Sequence, residues 1–99
     1  MSDLEPMSRH TVVQWDPEPV TTEIGGEVVA MCARKGVYIG LDRAASAIWR
    51  RLETPQTIGD LCLRLTNEFQ GDTVTIENDV IELMEGLRDQ GMVRAAGLR

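Results

Sequence analysis

Residues 37–52 read Val37-Tyr38-Ile39-Gly40-Leu41-Asp42-Arg43-Ala44-Ala45-Ser46-Ala47-Ile48-Trp49-Arg50-Arg51-Leu52, and the hydrophobic period changes inside them. Up to Leu41 the period is two: Val37, Ile39 and Leu41 share one face of a strand, Tyr38 and Gly40 the other. From Asp42 the period is about 3.6. Ala45, Ile48, Trp49 and Leu52 then fall on one side of a helix, and Asp42 stands where an N-cap belongs. The chain therefore reads as strands before this switch and helices after it.

Working back from Val37, Arg34-Lys35-Gly36 is a turn in which Gly36 supplies a positive φ. Residues 27–33 form a strand, Gly25-Gly26 a hairpin turn, and Val20, Thr22 and Ile24 an alternating strand before it. Thr11-Val12-Val13-Gln14-Trp15 is β-branched and aromatic, and Asp16-Pro17-Glu18-Pro19 interrupts it. Residues 1–10 are polar and aperiodic and read as a flexible tail.

Working forward, Glu53-Thr54-Pro55-Gln56 ends the first helix. Thr57-x-x-Asp60 resembles a capping box for a second helix with Ile58, Leu61, Cys62, Leu65 and Phe69 on one stripe. Gly71-Asp72 breaks it. Thr75 can cap a third helix, 76–90, with Ile76, Val80, Leu83, Met84 and Leu87 on one face. Gly91 closes that helix in the left-handed conformation, and Met92 folds back on its last turn. Residues 94–99 read as a second tail. The expected fold is α+β and winged-helix-like, a three-stranded antiparallel sheet followed by three helices, in one domain over 11–93.

Composition excludes several function classes. The 99 residues carry a formal net charge of −6, which disfavours both phosphate-backbone binding and adhesion to anionic membranes. No apolar run approaches the roughly 18 residues of a membrane span, and Met1–His10 lacks the pattern of a signal peptide, so the expected location is the cytoplasm. Cys32 and Cys62 are thirty positions apart and lie in apolar patterns, as buried free thiols do. Two Cys and one His do not make a tetrahedral Cys/His zinc site, and no metal or other cofactor is expected. The single His10 lies in the N-terminal tail, and Ser46 lies mid-helix without the turn that exposes a nucleophile. Gly25-Gly26 lacks the pattern of a phosphate loop. No constellation of nucleophile, base and orienting group is visible, so no enzyme is expected.

Strands with three helices also build winged-helix DNA-binding domains, but the third helix carries Glu77, Asp79, Glu82, Glu85 and Asp89 against one basic residue, Arg88. Those acids repel a phosphate backbone. A peptide is the better partner. Val37–Leu41, if it lies at a sheet edge, offers unpaired N–H and C=O groups to an added strand, with the third helix as a wall. An open edge also invites a homodimer. Gly86, inside that helix, costs about 1 kcal/mol relative to Ala. Either another backbone approaches closely there or the helix packs tightly against a neighbour.

Leu41-Asp42-x-x-Ala45-x-x-Ile48-Trp49 with Leu52, then Pro55, Thr57-Ile58, Leu61, Leu65 and Phe69, and finally Asp79-Val80, Leu83, Leu87 and Gly91-Met92, resembles the PqqD-like proteins over about residues 25–93. The resemblance implies a non-catalytic recognition element for the leader peptide of a ribosomally made, post-translationally modified peptide. In that family the leader adds to the third strand of the sheet, here 37–41, and enters a groove against the third helix. The form most similar is the split recognition protein of lasso-peptide pathways, which serves a separate leader peptidase. An alternative is a chaperone that delivers its precursor to a radical SAM enzyme. The Arg34-Lys35 turn either contacts acidic leader residues or is simply solvated.

Carried onto this chain, the peptide-binding residues are Val37, Tyr38, Ile39 and Gly40 on the strand and Val80, Met84 and Leu87 on the helix. Which face of the strand lines the groove stays open at this point. Leu41, Trp49 and Phe69 are assigned to the core.

Overall fold

The structure is a computed structural model that describes residues 6–33, 36–68 and 71–98. Phe69 and the Arg34-Lys35 turn lie outside these residues. The strands are β1 (Thr11–Trp15), β2 (Val20–Ile24), β3 (Glu27–Cys32) and β4 (Val37–Gly40). The helix α1 (Arg43–Arg50) follows, then a 3₁₀ turn at Arg51–Glu53, the short strand β5 (Gln56–Thr57), α2 (Ile58–Glu68), α3 (Thr73–Asp89) and β6 (Val93–Leu98). The class is α+β, as the period switch requires, but there are two antiparallel sheets, ordered β2-β3-β4 and β5-β1-β6.

The first sheet follows the local signals. Ile24 pairs with Glu27 across a two-residue turn, and Gly25 and Gly26 both take positive φ, 61° and 85°. That is the turn geometry whose twist matches the flanking strands. Gly36 turns the chain again into β4, at φ 66°. Val28, Ala30 and Cys32 face the core, and Ile39 lies opposite Ala30 and Val37 opposite Cys32. Directly paired residues share a face, so Val37, Ile39 and Leu41 point to the helices. Tyr38 and Gly40 point outward.

The second sheet corrects the reading of the two ends. Residues 94–98 belong to β6, which pairs with β1 from Trp15↔Val93 to Thr11↔Leu98. The register skips Ala96 between Val12 and Val13, a β-bulge. Residues 7–9, expected to be loose, are tied down. Met7 is 6% exposed and its N–H donates to Glu85 at 2.8 Å, while the Arg9 carbonyl accepts from Gly59 N at 2.8 Å. A side chain at Gly59 would sit 3.2 Å from that carbonyl, so the close approach depends on glycine.

The helix starts and stops are local chemistry. Asp42 accepts from Ala45 N at 2.8 Å and caps α1. Thr57 accepts from Asp60 N at 3.1 Å. The cap of α3 is Asp72, not Thr75: its carboxylate accepts from Thr75 N at 3.0 Å, and the helix begins at Thr73. The carboxylate one turn earlier outcompetes the threonine hydroxyl for the same orphan N–H groups. Gly91 takes φ 80°, and Met92 N donates to the Leu87 carbonyl at 2.8 Å. One core unites both sheets and all three helices. At the junction of the sheets Trp15 stacks on Trp49 with centroids 4.4 Å apart. Trp15 Nε1 donates to the Trp49 carbonyl at 2.7 Å, and Trp49 Nε1 to that of Met92 at 3.4 Å. Leu41 and Trp49 are buried, and both cysteines are buried and free.

Candidate functional site

β4 is an edge strand. Leu41 N donates to the Val28 carbonyl at 2.9 Å. Backbone direction alternates along an antiparallel strand, so Val37, Ile39 and Leu41 direct their N–H and C=O groups at β3. Tyr38 and Gly40 direct theirs away from the sheet. Two successive sets of outward donors and acceptors therefore have no partner among the described residues, which is what an incoming strand needs.

Just past β4, from Asp42 onward, the chain borders an apolar cavity of about 380 Å³. Ala44, Ala45 and Ile48 line it from α1, Leu65 from α2, and Ile76, Val80 and Leu83 from α3, with the carboxylates of Asp42 and Asp79 beside them. The N-terminal end of β4 lies by the other end of α3. Val37 pairs with Cys32, and the Cys32 thiol donates to the Gln90 carbonyl at 3.7 Å. β4 thus runs along α3 in the opposite direction, from the Gln90 end to the Ile76–Leu83 end. The groove is the space between them.

The sequence-predicted residues separate on inspection. Val37, Tyr38, Ile39 and Gly40 lie on the open strand, and Val80 lines the cavity from a buried position. Met84 is 0% and Leu87 2% exposed: they are core residues and do not border the groove. Five apolar positions make a stripe broader than either surface needs, and the structure turns its middle inward. The groove takes instead the flank carrying Ile76, Asp79 and Leu83, together with Ala44, Ala45 and Ile48. In the sequence Ile76, Leu83, Ala45 and Ile48 read as apolar helix-face positions, Asp79 reads as one of the acids of the third helix, and Ala44 carries no signal. The weak signal for them was that Ile76 and Leu83 form one margin of the stripe.

The acids of α3 also divide. Glu85 accepts from Met7 N, and Glu77 lies 3.9 Å from Arg9, so both serve the N-terminal segment. Asp79 and Glu82 are exposed, and Asp79 lines the cavity. Cys62 is buried under α3, and burial, with the Glu77 carboxylate adding to it, raises its thiol pKa. Among the described residues, no group of three His, Cys, Asp or Glu is placed to hold a metal, and no helix is long and apolar enough to cross a membrane. Ser46, fully buried, is structural: its hydroxyl accepts from Val28 N at 2.8 Å and donates to the Leu41 carbonyl at 3.1 Å.

An open strand edge laid along a helix, with an apolar cavity at one end, defines a small α+β module of the winged-helix-like kind. The sequence profile of coenzyme PQQ synthesis protein D (PqqD) matches residues 27–93, and the chain belongs to this family. A comparison with curated proteins finds no match. Among solved structures, the chain is similar to TbiB1 in complex with the TbiA(beta) leader peptide. The TM-score is 0.74 at 26% identity, over 87% of this chain and 98% of that one. It is similar to lasso peptide synthetase B1 complexed with the leader peptide, with TM-score 0.72 and 26% identity over 82% of this chain and 95% of that one. It shares its fold with the PqqD part of Methylobacterium extorquens PqqCD, a stand-alone recognition element for ribosomally synthesized and post-translationally modified peptides. That match has TM-score 0.75 at 17% identity, over 95% and 99% of the two chains.

Proposed function

We propose that this chain is a non-catalytic recognition protein that binds the leader of a ribosomally made precursor as an added strand on β4 and presents it to a leader peptidase or another modifying enzyme. The observation that carries this reading is the open β4 edge, with the outward backbone groups of Tyr38 and Gly40 beside the apolar cavity. Main-chain pairing supplies affinity whatever the leader sequence, and the cavity supplies selection for an apolar side chain. Micromolar to nanomolar binding corresponds to about 8–12 kcal/mol, within reach of a short added strand with two or three apolar anchors.

The two structures at 26% identity, both leader-peptide complexes, one of them of lasso peptide synthetase B1, support the lasso-peptide form of this role. The chaperone of a radical SAM enzyme has the 17% neighbour in its favour, which speaks for the fold alone. Such a role belongs in the cytoplasm, where precursors are translated. The test is to purify the tagged chain from its host and identify co-purified peptides by mass spectrometry. A short precursor whose N-terminal segment shifts the amide resonances of Tyr38, Gly40 and Leu83 supports the reading. Recovery of nucleic acid in its place supports the winged-helix alternative.

A further inference from the structure

Residues 7–9 lie as a strap across the outside of the α2–α3 pair. The Met7 N–H donates to the Glu85 carboxylate of α3 at 2.8 Å, the Arg9 side chain lies 3.9 Å from Glu77, and the Arg9 carbonyl accepts from Gly59 N at the start of α2. The strap is anchored at both ends. The Met7 side chain is buried in the core, and Ser8 and Thr11 exchange hydrogen bonds of 3.0 and 3.1 Å where the chain enters β1. Glu77, Ile81 and Glu85 follow one another at steps of four and form a single ridge of α3. At about 100° per residue, that ridge lies on the flank of the helix opposite Ile76, Asp79 and Leu83, with the buried Val80, Met84 and Leu87 between the two. α3 therefore has a cavity on one flank and the strap on the other. A cavity supplies few contacts against a sideways shift of the helix into it, so the lateral restraint falls to the strap.

Resting on the leader-recognition reading, we propose that Glu85 is a positioning residue for peptide binding: by tying α3 back to the strap it holds the helix away from the cavity and keeps the groove open. The contacts of the strap are unequal. Arg9 and Glu77 are side chains 58% and 30% exposed, and an ion pair of that kind contributes little. The Glu85 carboxylate accepts from a backbone N–H at short range in a part-buried place, which makes a charge-assisted bond. Gly59 is the second tie, because only glycine lets α2 come this close to the Arg9 carbonyl. Cys62 stands one turn beyond Gly59 on the same face of α2. It is buried, and the Glu77 and Arg9 charges both act on its thiol. A reagent therefore reaches Cys62 when the strap lifts. Coupling between two sites is reciprocal: a strap that favours the bound peptide by some factor is itself held down by the peptide by the same factor.

The test uses the full chain with Cys32→Ala, which leaves Cys62 as its one thiol, and a fluorescein-labelled peptide selected on that chain from a phage-displayed random library. Adding Glu85→Ala should weaken the peptide about fivefold or more and speed the reaction of Cys62 with a disulfide reagent. Saturating peptide should slow that reaction by a like factor when Glu85 is present and not in Glu85→Ala. Glu85→Gln, which keeps an acceptor for Met7 N–H, should restore most of both effects. Gly59→Ala, whose methyl group would stand 3.2 Å from the Arg9 carbonyl, should act in the same direction as Glu85→Ala from the other helix. Trp15→Phe removes a hydrogen bond at the seam of the sheets and serves as the stability control. It should lower the melting temperature and leave affinity and Cys62 reactivity unchanged. Faster Cys62 reaction in Glu85→Ala with unchanged affinity would make the strap a fold element only, and would overturn the proposal while leader recognition stands. An equal loss of affinity in Trp15→Phe would overturn it as well. If Glu85→Ala does not fold, Gly59→Ala carries the comparison, and unchanged affinity there overturns the proposal. A chain that selects no peptide overturns the leader reading and the positioning role together.

Discussion

Single residues in this protein separate cleanly into those that hold the fold and those that are free to act. Ser46 is of the first kind. Ser46→Ala leaves Val28 N–H buried without its acceptor, at a cost of about 1–3 kcal/mol. Thermal unfolding followed by circular dichroism should fall by about 4–8 °C for each kcal/mol lost. Leu87 is also of the first kind. Leu87→Asp, which a groove position would tolerate, is expected to abolish cooperative unfolding, because it buries a carboxylate with no partner. Tyr38 is of the second kind. At 75% exposure, Tyr38→Ala should leave the melting temperature nearly unchanged.

The exposed pair Glu23–Arg50 adds a titratable probe. Arg50 Nε donates to the Glu23 carboxylate at 2.8 Å, and this hydrogen bond, more than the charge attraction, holds the Glu23 pKa below its ordinary value. The stabilising contribution is therefore present above the ordinary carboxylate value and is lost as pH falls through the lowered one. A carboxyl NMR titration should show a low midpoint for Glu23 that returns to normal in Arg50→Ala.

At the scale of elements, backbone direction along β4 decides which amide matters. Ile39→Pro removes an N–H that β3 uses, so it should unfold the sheet. Tyr38→Pro removes an outward N–H, and proline is tolerated at that side of an edge strand. Tyr38→Pro should stay folded and lose more peptide affinity than Tyr38→Ala, as fluorescence anisotropy would measure. Equal losses in the two variants would argue that main-chain pairing at Tyr38 contributes nothing.

The same scale shows what could be read in advance. The period switch at Leu41-Asp42, the Gly25-Gly26 hairpin, the stripes of α2 and α3 and the Gly91 stop are signals within a few residues, and each was legible. The β5-β1-β6 sheet was not. β5 is two residues long, and the β6 segment Val93-Arg94-Ala95-Ala96-Gly97-Leu98 has little β propensity of its own, because β1 imposes its conformation. The groove was half legible. The open strand could be assigned from its pattern, but the choice of flank on α3 depends on where β4 lies, which no local pattern encodes.

At the scale of the whole molecule, the two ends close the structure. Met7 packs beside α3, and β6 completes the sheet around β1. A chain stopped after Met92 should lose its cooperative transition, although it keeps every residue of the proposed groove, because β1 loses its partner β6. Hydrogen exchange would show this as lost protection in β1 first. The charge of −6 has a comparable division of labour. Glu77 and Glu85 fasten the N-terminal segment to α3, while Asp42 and Asp79 border the cavity, where negative charge disfavours nucleic acid.

The protein has one tyrosine and two tryptophans. The tyrosine stands on the open strand edge, while both tryptophans are stacked at the seam of the two sheets, and neither lines the cavity. The chain therefore carries two separate optical channels. Coupled indole transitions in circular dichroism follow the integrity of the seam, and the near-ultraviolet absorbance of the single exposed tyrosine follows what arrives at the edge. Docking and unfolding can be watched in the same cuvette without a label.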